Sequence, residues 1–267
     1  MSVSKYSKEY RHMKKKKVAI KVALFFVFLL ILIILLIYLF FYSSNFDVRN
    51  VQINGVNTIE IATIRFKIDS LLDQTKWGIP IRSNIYFASA QSLEEKIIID
   101  FVNVKYVDVS RAGKHILIFD IEKRISSGIW CMTPKEVCYF FDSDGIAFEE
   151  IAKSSGYIYS YIDDYRDRTV NMGEEVEDKV WIDNVLLAQR TLQFGNISIN
   201  GFAIASDSFD TFSVKTAQGW DIKLSNQTNI ALQLESLFSF LKNKIKPEEL
   251  ENLQYVDLTV KDRIYYK

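Results

Sequence analysis

The chain has 267 residues, 33 basic and 33 acidic side chains, and two cysteines. Its charge is unevenly distributed: residues 1–21 hold eight basic residues and one acidic residue, which leaves 25 basic and 32 acidic residues beyond them. An acidic main body without a stripe of lysine and arginine lacks the electrostatic footprint that nucleic-acid binding requires. We therefore exclude that class of function.

An uninterrupted apolar run covers residues 22–42, directly after the basic tail at residues 1–21. Twenty-one helical residues measure about 31 Å, which matches the hydrocarbon core of a bilayer. Positive charge beside a span stays on the cytoplasmic side, so the pattern predicts one crossing, with the amino terminus cytoplasmic and the carboxyl terminus extracytoplasmic. A cleaved signal peptide is the alternative, but the run is long for one and lacks an A-x-A-like site.

The first domain beyond the span is predicted at residues 46–124. A β-branched and aromatic run ends at Asn54-Gly55, and a helix follows with Asn57 and Glu60 in a capping arrangement. Ser92 and Glu95 form a second capping-box pattern before another amphipathic helix. The predicted order is strand, helix, helix, strand, strand, with elements at Phe46–Ile53, a first helix ending at Trp77–Pro80, a loop through Asn84–Phe87, and strands at Val104–Ser110 and His115–Lys123.

A second domain is predicted at residues 125–267, because short strand signals follow one another closely there. Two helices interrupt them, one with apolar residues from Trp181 to Leu192 and one from Ile230 to Leu241. The predicted strands include Ile129–Trp130, Tyr139–Phe141, Ile146–Phe148, Tyr157–Ile162, Ile197–Ile204, Phe212–Thr216, Trp220–Leu224 and the alternating segment Tyr255–Val260. The fold class is therefore α+β, with a mainly antiparallel second domain.

Cys131 and Cys138 flank a turn that contains Pro134, between two apolar stretches. In an extracytoplasmic compartment a disulfide is the default state for such a pair. A zinc site of two cysteines and two histidines is ruled out, because the chain has only two histidines and His12 lies in the cytoplasmic tail.

Candidate catalytic groups are few. His115 is the one histidine beyond the span, and no G-x-S-x-G or other nucleophile pattern accompanies it. Asp142-Ser143-Asp144-Gly145 resembles the start of a calcium loop, but the twelfth position is lysine, which favours a simple turn. Three adjacent acidic pairs are interpreted as solvated loops: Glu149-Glu150, Asp163-Asp164 and Glu174-Glu175.

Phosphate-binding, dinucleotide-binding and metalloprotease motifs are absent from the sequence. We expect no catalytic residue, no cofactor, no metal and no small-molecule substrate. A compact extracytoplasmic domain without a recognisable set of catalytic residues is more typical of a protein that binds other proteins than of an enzyme.

Three segments together resemble the FtsQ family, called DivIB in many Gram-positive bacteria, of bitopic cell-division proteins. The first is Phe46–Gly55, which resembles the opening strand of the family's POTRA domain. The second runs from Ile121 to Phe148 and is similar to the junction of the POTRA and β domains, and the third is Tyr255–Tyr266, similar to the terminal strands of the β domain. The order and spacing of the segments carry the resemblance.

The resemblance implies a scaffold of the bacterial plasma (inner) membrane at the division septum, which helps control septal peptidoglycan synthesis. Its expected partners are FtsB- or DivIC-like and FtsL-like bitopic proteins, with other septal membrane proteins binding the POTRA-like domain. A partner strand can add to an exposed sheet edge through backbone hydrogen bonds. We expect that edge at Tyr255, Val256, Asp257, Leu258, Thr259 and Val260, together with Ile264, Tyr265 and Tyr266.

Two other functions stay open from the residues alone. A membrane-tethered sensor or ligand-binding domain would need an apolar pocket with converging polar groups. A tethered envelope hydrolase would depend on His115.

Overall fold

The computed structural model describes residues 3–42, 46–73, 84–86, 88–152 and 161–267. The chain is α+β and divides into two compact units, Met1–Asp100 with Tyr106–Glu122, and Phe101–Lys105 with Lys123–Lys267. The expected helix end at Trp77–Pro80, the loop residue Phe87 and the expected strand residues 157–160 lie outside the described residues.

Helix α1 spans Val3–Tyr42. Its segment Ile20–Phe40 has 21 residues, a mean hydropathy of 3.4 and no buried residues. Within the described ranges it is the one helix long and apolar enough to cross a membrane.

Beyond α1, the described part of the first unit contains a three-stranded sheet and two helices: β1 at Asn50–Asn54, α2 at Thr58–Leu72, α3 at Ala90–Asp100, β2 at Val104–Ala112 and β3 at Ile116–Lys123. The strand order is β1-β3-β2, with β1 parallel to β3. The inward faces of the helices and strands, among them Ile68, Ile97 and Phe119, are fully buried.

Both helix starts in this unit are set by local capping. The Asn57 side chain accepts a hydrogen bond from the Glu60 backbone N–H at 3.0 Å, and the capping box predicted there is confirmed. The box predicted at Ser92 and Glu95 is wrong, because α3 already begins at Ala90. Ser89, three residues before Ser92, accepts the Ser92 backbone N–H at its Oγ at 3.3 Å and so occupies the capping position first.

In the second unit, the described residues form nine strands and three α-helices: β4 at Gly128–Met132, β5 at Val137–Phe141, β6 at Ala147–Ile151, β7 at Tyr161–Asp164, α4 at Lys179–Phe194, β8 at Ile199–Ile204, β9 at Thr211–Thr216, β10 at Asp221–Ser225, α5 at Ile230–Lys244, α6 at Pro247–Leu250, β11 at Tyr255–Asp257 and β12 at Tyr265–Tyr266. The strands form one sheet in the order β12-β11-β10-β9-β8-β7-β4-β5-β6. The sheet is mixed, because β4 with β7, β7 with β8, and β10 with β11 pair in parallel.

Helices α4 and α5 bury their apolar faces in one core that they share with the sheet. Trp130 and Trp220 are almost fully buried in it, and the Trp181 ring of α4 lies 5.3 Å from the Trp130 ring. The two helical periodicities predicted from the sequence correspond to α4 and α5. The sheet therefore has one well-covered face, and its two ends are strands β12 and β6.

Candidate functional site

Strand β11 is an inner strand of the large sheet. It pairs in parallel with β10, where Ile222 faces Val256, and in antiparallel with β12, where Tyr266 faces Val256. The free edge expected at Tyr255–Val260 is therefore wrong for Tyr255, Val256 and Asp257. The cause is a turn in which the Arg263 backbone N–H donates to the Val260 carbonyl at 3.2 Å, so that the following residues fold back along β11.

Leu258, Thr259 and Val260 do not lie on a free edge either. The Leu258 backbone N–H donates to the Lys223 carbonyl at 3.0 Å, which continues the pairing with β10. Thr259 turns away from the strand, since both its backbone N–H and its hydroxyl donate to Asp257 Oδ1. Val256 and Leu258 are buried core residues, whereas the Val260 side chain is 45% exposed.

Strand β12 forms the outer edge at this end of the sheet, with no further strand beside it in the part of the chain that the structure describes. Its neighbour Lys267 exchanges two backbone hydrogen bonds with Tyr255, at 3.3 and 3.2 Å. Hydrogen-bonded and non-bonded pairs alternate along an antiparallel ladder. The backbone N–H and C=O of Tyr266 consequently point away from β11, toward the free edge.

The two tyrosines of β12 expose large aromatic surfaces, 45% of Tyr265 and 56% of Tyr266. The Tyr266 ring lies 4.8 Å from the ring of Phe240 on α5. Ile264 packs against the shared core, and the Tyr265 hydroxyl lies 3.3 Å from a guanidinium nitrogen of Arg263. The edge therefore combines unpaired backbone groups with anchored aromatic side chains.

Two adjoining clefts lie beside this edge, between α5 and the chain that leads into β12. Their volumes are about 780 and about 540 Å³, and Ser236 and Ile264 line both of them. Leu232, which is 61% exposed, supplies apolar surface to the larger cleft. The larger cleft is otherwise lined by Gln227, Thr228, Asn229, Gln233, Leu258, Val260, Lys261, Asp262 and Arg263.

The cysteines form a disulfide, as the sequence predicts, with Cα atoms 4.0 Å apart on directly opposed positions of β4 and β5.

Among the described residues, no group of three or more potential metal ligands is found. His115 belongs to the first unit and directly precedes β3, and its Nδ1 lies 2.8 Å from the Asp47 carbonyl oxygen.

The segment Asp142–Gly145 is a tight turn, as expected. The Asp142 carboxylate accepts the backbone N–H groups of Asp144 and Ile146 and the Arg124 guanidinium, and Gly145 has a φ of +81°. Both carboxylate oxygens of Asp142 therefore already accept hydrogen bonds from the protein. A hydrogen bond from Lys105 holds the pKa of Asp144 below its ordinary value against the opposing effect of burial, and Lys179 adds to the lowering.

The interpretation of Asp163-Asp164 as a solvated loop is wrong, because both residues belong to β7 and Asp164 is fully buried. Asp164 accepts hydrogen bonds from Arg166, from Arg168 at 2.8 Å and from the Trp130 indole at 3.2 Å. Glu177 completes the cluster by pairing with Arg166 at 2.7 Å. Burial alone would raise the pKa of Asp164, but the arginine hydrogen bonds outweigh it and lower that pKa.

Sequence reasoning missed this buried ionic cluster, although a signal was present. Asp164, Arg166 and Arg168 alternate at a spacing of two, which puts their side chains on one side of an extended chain. The sequence contains no comparable signal for the clefts beside α5, because their lining depends on how the turn at Val260–Arg263 folds.

Comparison with known proteins adds no family. No family model matches the chain, and no curated protein matches it at a significant level.

Proposed function

We propose that this protein is a single-pass, non-enzymatic cell-division scaffold of the FtsQ/DivIB type. In this proposal it binds FtsB- or DivIC-like and FtsL-like bitopic partners and so helps control septal peptidoglycan synthesis. One observation carries the proposal: strand β12 leaves its outer edge unpaired among the described residues and presents Tyr265 and Tyr266 there. An edge of this kind accepts a partner strand through backbone hydrogen bonds, with alternate side chains giving specificity.

The first unit supports the POTRA-like part of the proposal. Its elements follow the order β1-α2-α3-β2-β3, and β1 lies parallel to the central strand β3. This is the strand-helix-helix-strand-strand order that the resemblance implies. The apolar segment Ile20–Phe40 precedes β1 in the chain, which fits a membrane-proximal position for the three-stranded sheet.

The clefts beside β12 extend the proposed binding surface. A strand added to β12 would run next to Ile264, which lines both clefts, so side chains of the partner would reach the apolar surface of Leu232. The rim charges Lys261, Asp262 and Arg263 are placed to select between partners rather than to provide most of the affinity. Large aromatic side chains near the centre of an interface commonly dominate its affinity, so Tyr265 and Tyr266 are the expected anchors.

The deciding experiment removes one edge donor without touching the core. Deleting residues 255–267 is a poor test, because Val256 and Leu258 are buried. In Tyr266→Pro the outward N–H is lost, while the hydrogen bonds between Lys267 and Tyr255 remain. Tyr266→Leu is the matched control, because it loses the same ring and its contact with Phe240 but keeps the N–H.

The readout is co-purification of the full-length chain in detergent with FtsB- or DivIC-like and FtsL-like partners. We expect Tyr266→Pro to lose the partners and Tyr266→Leu to retain part of the binding, with these two variants showing the same thermal unfolding midpoint because both lack the ring. Retained binding by a folded Tyr266→Pro protein would overturn strand addition at β12. Failure of the unaltered protein to bind either partner would overturn the division-scaffold assignment itself.

A further inference from the structure

Helix α4 carries an apolar stripe on its solvent-facing side. Val180, Leu187 and Phe194 recur every seven residues and are 70%, 40% and 87% exposed. Seven residues make almost two full helical turns, so the three side chains lie in one line along the helix. The opposite face of α4 is buried in the core through Trp181, Ile182, Val185, Ala188 and Leu192.

Two opposite charges flank this stripe on the same side. At 100° per residue, Asp183 and Arg190 lie about 40° and 60° from Leu187 in the same rotational direction. Asp183 is four residues before Leu187, and Arg190 is three residues after it. Asp183 is paired within its own helix only with the exposed Lys179 at 3.4 Å, a contact weak enough to be exchanged.

This arrangement of apolar and charged side chains is complementary to itself when two copies of α4 lie antiparallel. A two-fold axis beside Leu187, perpendicular to α4, reverses the direction of the helix but keeps each flank on its own side. Asp183 then faces the partner's Arg190, and Val180 faces the partner's Phe194. Such a pairing is isologous, which means that the same patch serves both subunits and that the assembly closes as a dimer.

We propose that α4 is a self-association surface and that its occupant is the α4 of a second copy of this chain, in antiparallel. A parallel pairing would carry the charged flanks to opposite sides of the contact, so that Asp183 would not meet the partner's Arg190 and would lie at the same level along the axis as the partner's Asp183. Two helices of 16 residues bury less surface than a standard stable interface. The dimer is therefore weak and reversible, and it does not depend on the function proposed for β12.

Cysteine cross-linking of the full-length chain in detergent tests the arrangement. The two native cysteines are joined in a disulfide, so an introduced cysteine is the one thiol free to react with a short bismaleimide. Leu187→Cys would lie beside its own symmetry mate and should cross-link. Gln193→Cys, on the same helix but about 120° away from the stripe, is the control and should not.

The variants Val180→Cys and Phe194→Cys test whether the two α4 helices pair antiparallel or parallel. In the antiparallel dimer, each residue is about 21 Å along the axis from its own copy, so neither single variant cross-links but a mixture of the two does. Leu187→Glu should weaken dimerisation roughly 100-fold, since it replaces apolar contacts at the axis by two like charges. Asp183→Arg should weaken it roughly 10-fold, and adding Arg190→Asp should restore it.

Two results would overturn the proposal. Equal cross-linking of Leu187→Cys and Gln193→Cys would place the contact elsewhere, for example in the apolar helix α1. Self-cross-linking of Val180→Cys and of Phe194→Cys, each alone, would show a parallel pairing. Circular dichroism of every variant should match that of the unaltered chain, so that loss of the dimer reports on the surface and not on folding.

Discussion

Tyr266 on the outermost strand and Phe240 on α5 place their ring centroids 4.8 Å apart, at an interplanar angle of 55°. The two-residue strand β12 is thus fixed on the sheet by a helix as well as by its backbone bonds to β11.

A double-mutant cycle on Phe240→Leu and Tyr266→Leu should reveal this coupling. Aromatic pairs of this geometry contribute about 0.5–1.5 kcal/mol beyond their buried area, so we expect a coupling free energy of that size in urea unfolding. The cycle of Phe240→Leu with Tyr265→Leu serves as the control. A coupling near zero in both cycles would contradict the anchoring role of Phe240.

Asp164→Asn should strongly destabilise the second unit. The neutral amide leaves Arg166 and Arg168 in the cluster without their shared carboxylate, and breaking a buried charge network in this way costs about 3 kcal/mol or more. Asp167→Asn, at an exposed neighbouring position, should change the free energy of unfolding little. Denaturant titrations that gave equal losses for the two variants would contradict this account.

The same carboxylate predicts an acid-sensitive fold. The pKa of Asp164 is lower in the folded chain than its ordinary value of 3.8. A depressed pKa contributes stability at pH values above 3.8, and that stability disappears as the pH falls through the lower, folded-state pKa. Unfolding measured from pH 6 down to pH 2 should therefore show a smaller acid-induced loss in Asp164→Asn than in the unaltered protein.

Removing the disulfide should lower stability without changing the fold. The bridge joins residues seven positions apart, and closing a loop of that length contributes about 2.5 kcal/mol in the chain-entropy model. Replacing Cys131 and Cys138 together by valine should lower the unfolding free energy by about that amount at most, since buried valine recovers part of the packing. A reductant should lower the thermal midpoint of the unaltered protein but not that of the double variant.

Gly55 and Gly113 offer a matched comparison in the first unit. Both have positive φ, at +87° and +69°, but a Cβ at Gly55 would lie 1.9 Å from the Ile121 carbonyl oxygen, whereas a Cβ at Gly113 would meet nothing within 4 Å. Gly113→Ala should cost about 1 kcal/mol through backbone strain alone. Gly55→Ala should cost clearly more in thermal unfolding, because backbone must also move; equal costs would argue against the close approach.

Local patterns in the sequence predicted the apolar helix, the two core-facing helices α4 and α5, and the cysteine pairing. These features depend on periodicity and near neighbours, as in the capping box of Asn57 with Glu60. The Ser92 box failed because Ser89 offered an equivalent cap three residues earlier. Capping alone does not choose between two such serines.

The free edge was misplaced for a different reason. Alternation identifies Tyr255–Val260 as strand, but it does not say whether the residues after a turn will pair with that strand again. The pairing of Tyr266 with Val256 is decided by the turn at Val260–Arg263 and by packing on Phe240. Parallel pairings such as β7 with β8 are similarly non-local, because α4 separates those strands in the chain.

The bridge between β4 and β5 also fixes how those strands are aligned. Cys131 and Cys138 stand directly opposite each other, and so do their neighbours Trp130 and Tyr139, whose side chains point into the core. Sliding one strand by a single residue would turn Trp130 outward, and it would require the covalent link to open. As long as the disulfide stays oxidised, the register of this hairpin is therefore fixed covalently as well as by packing.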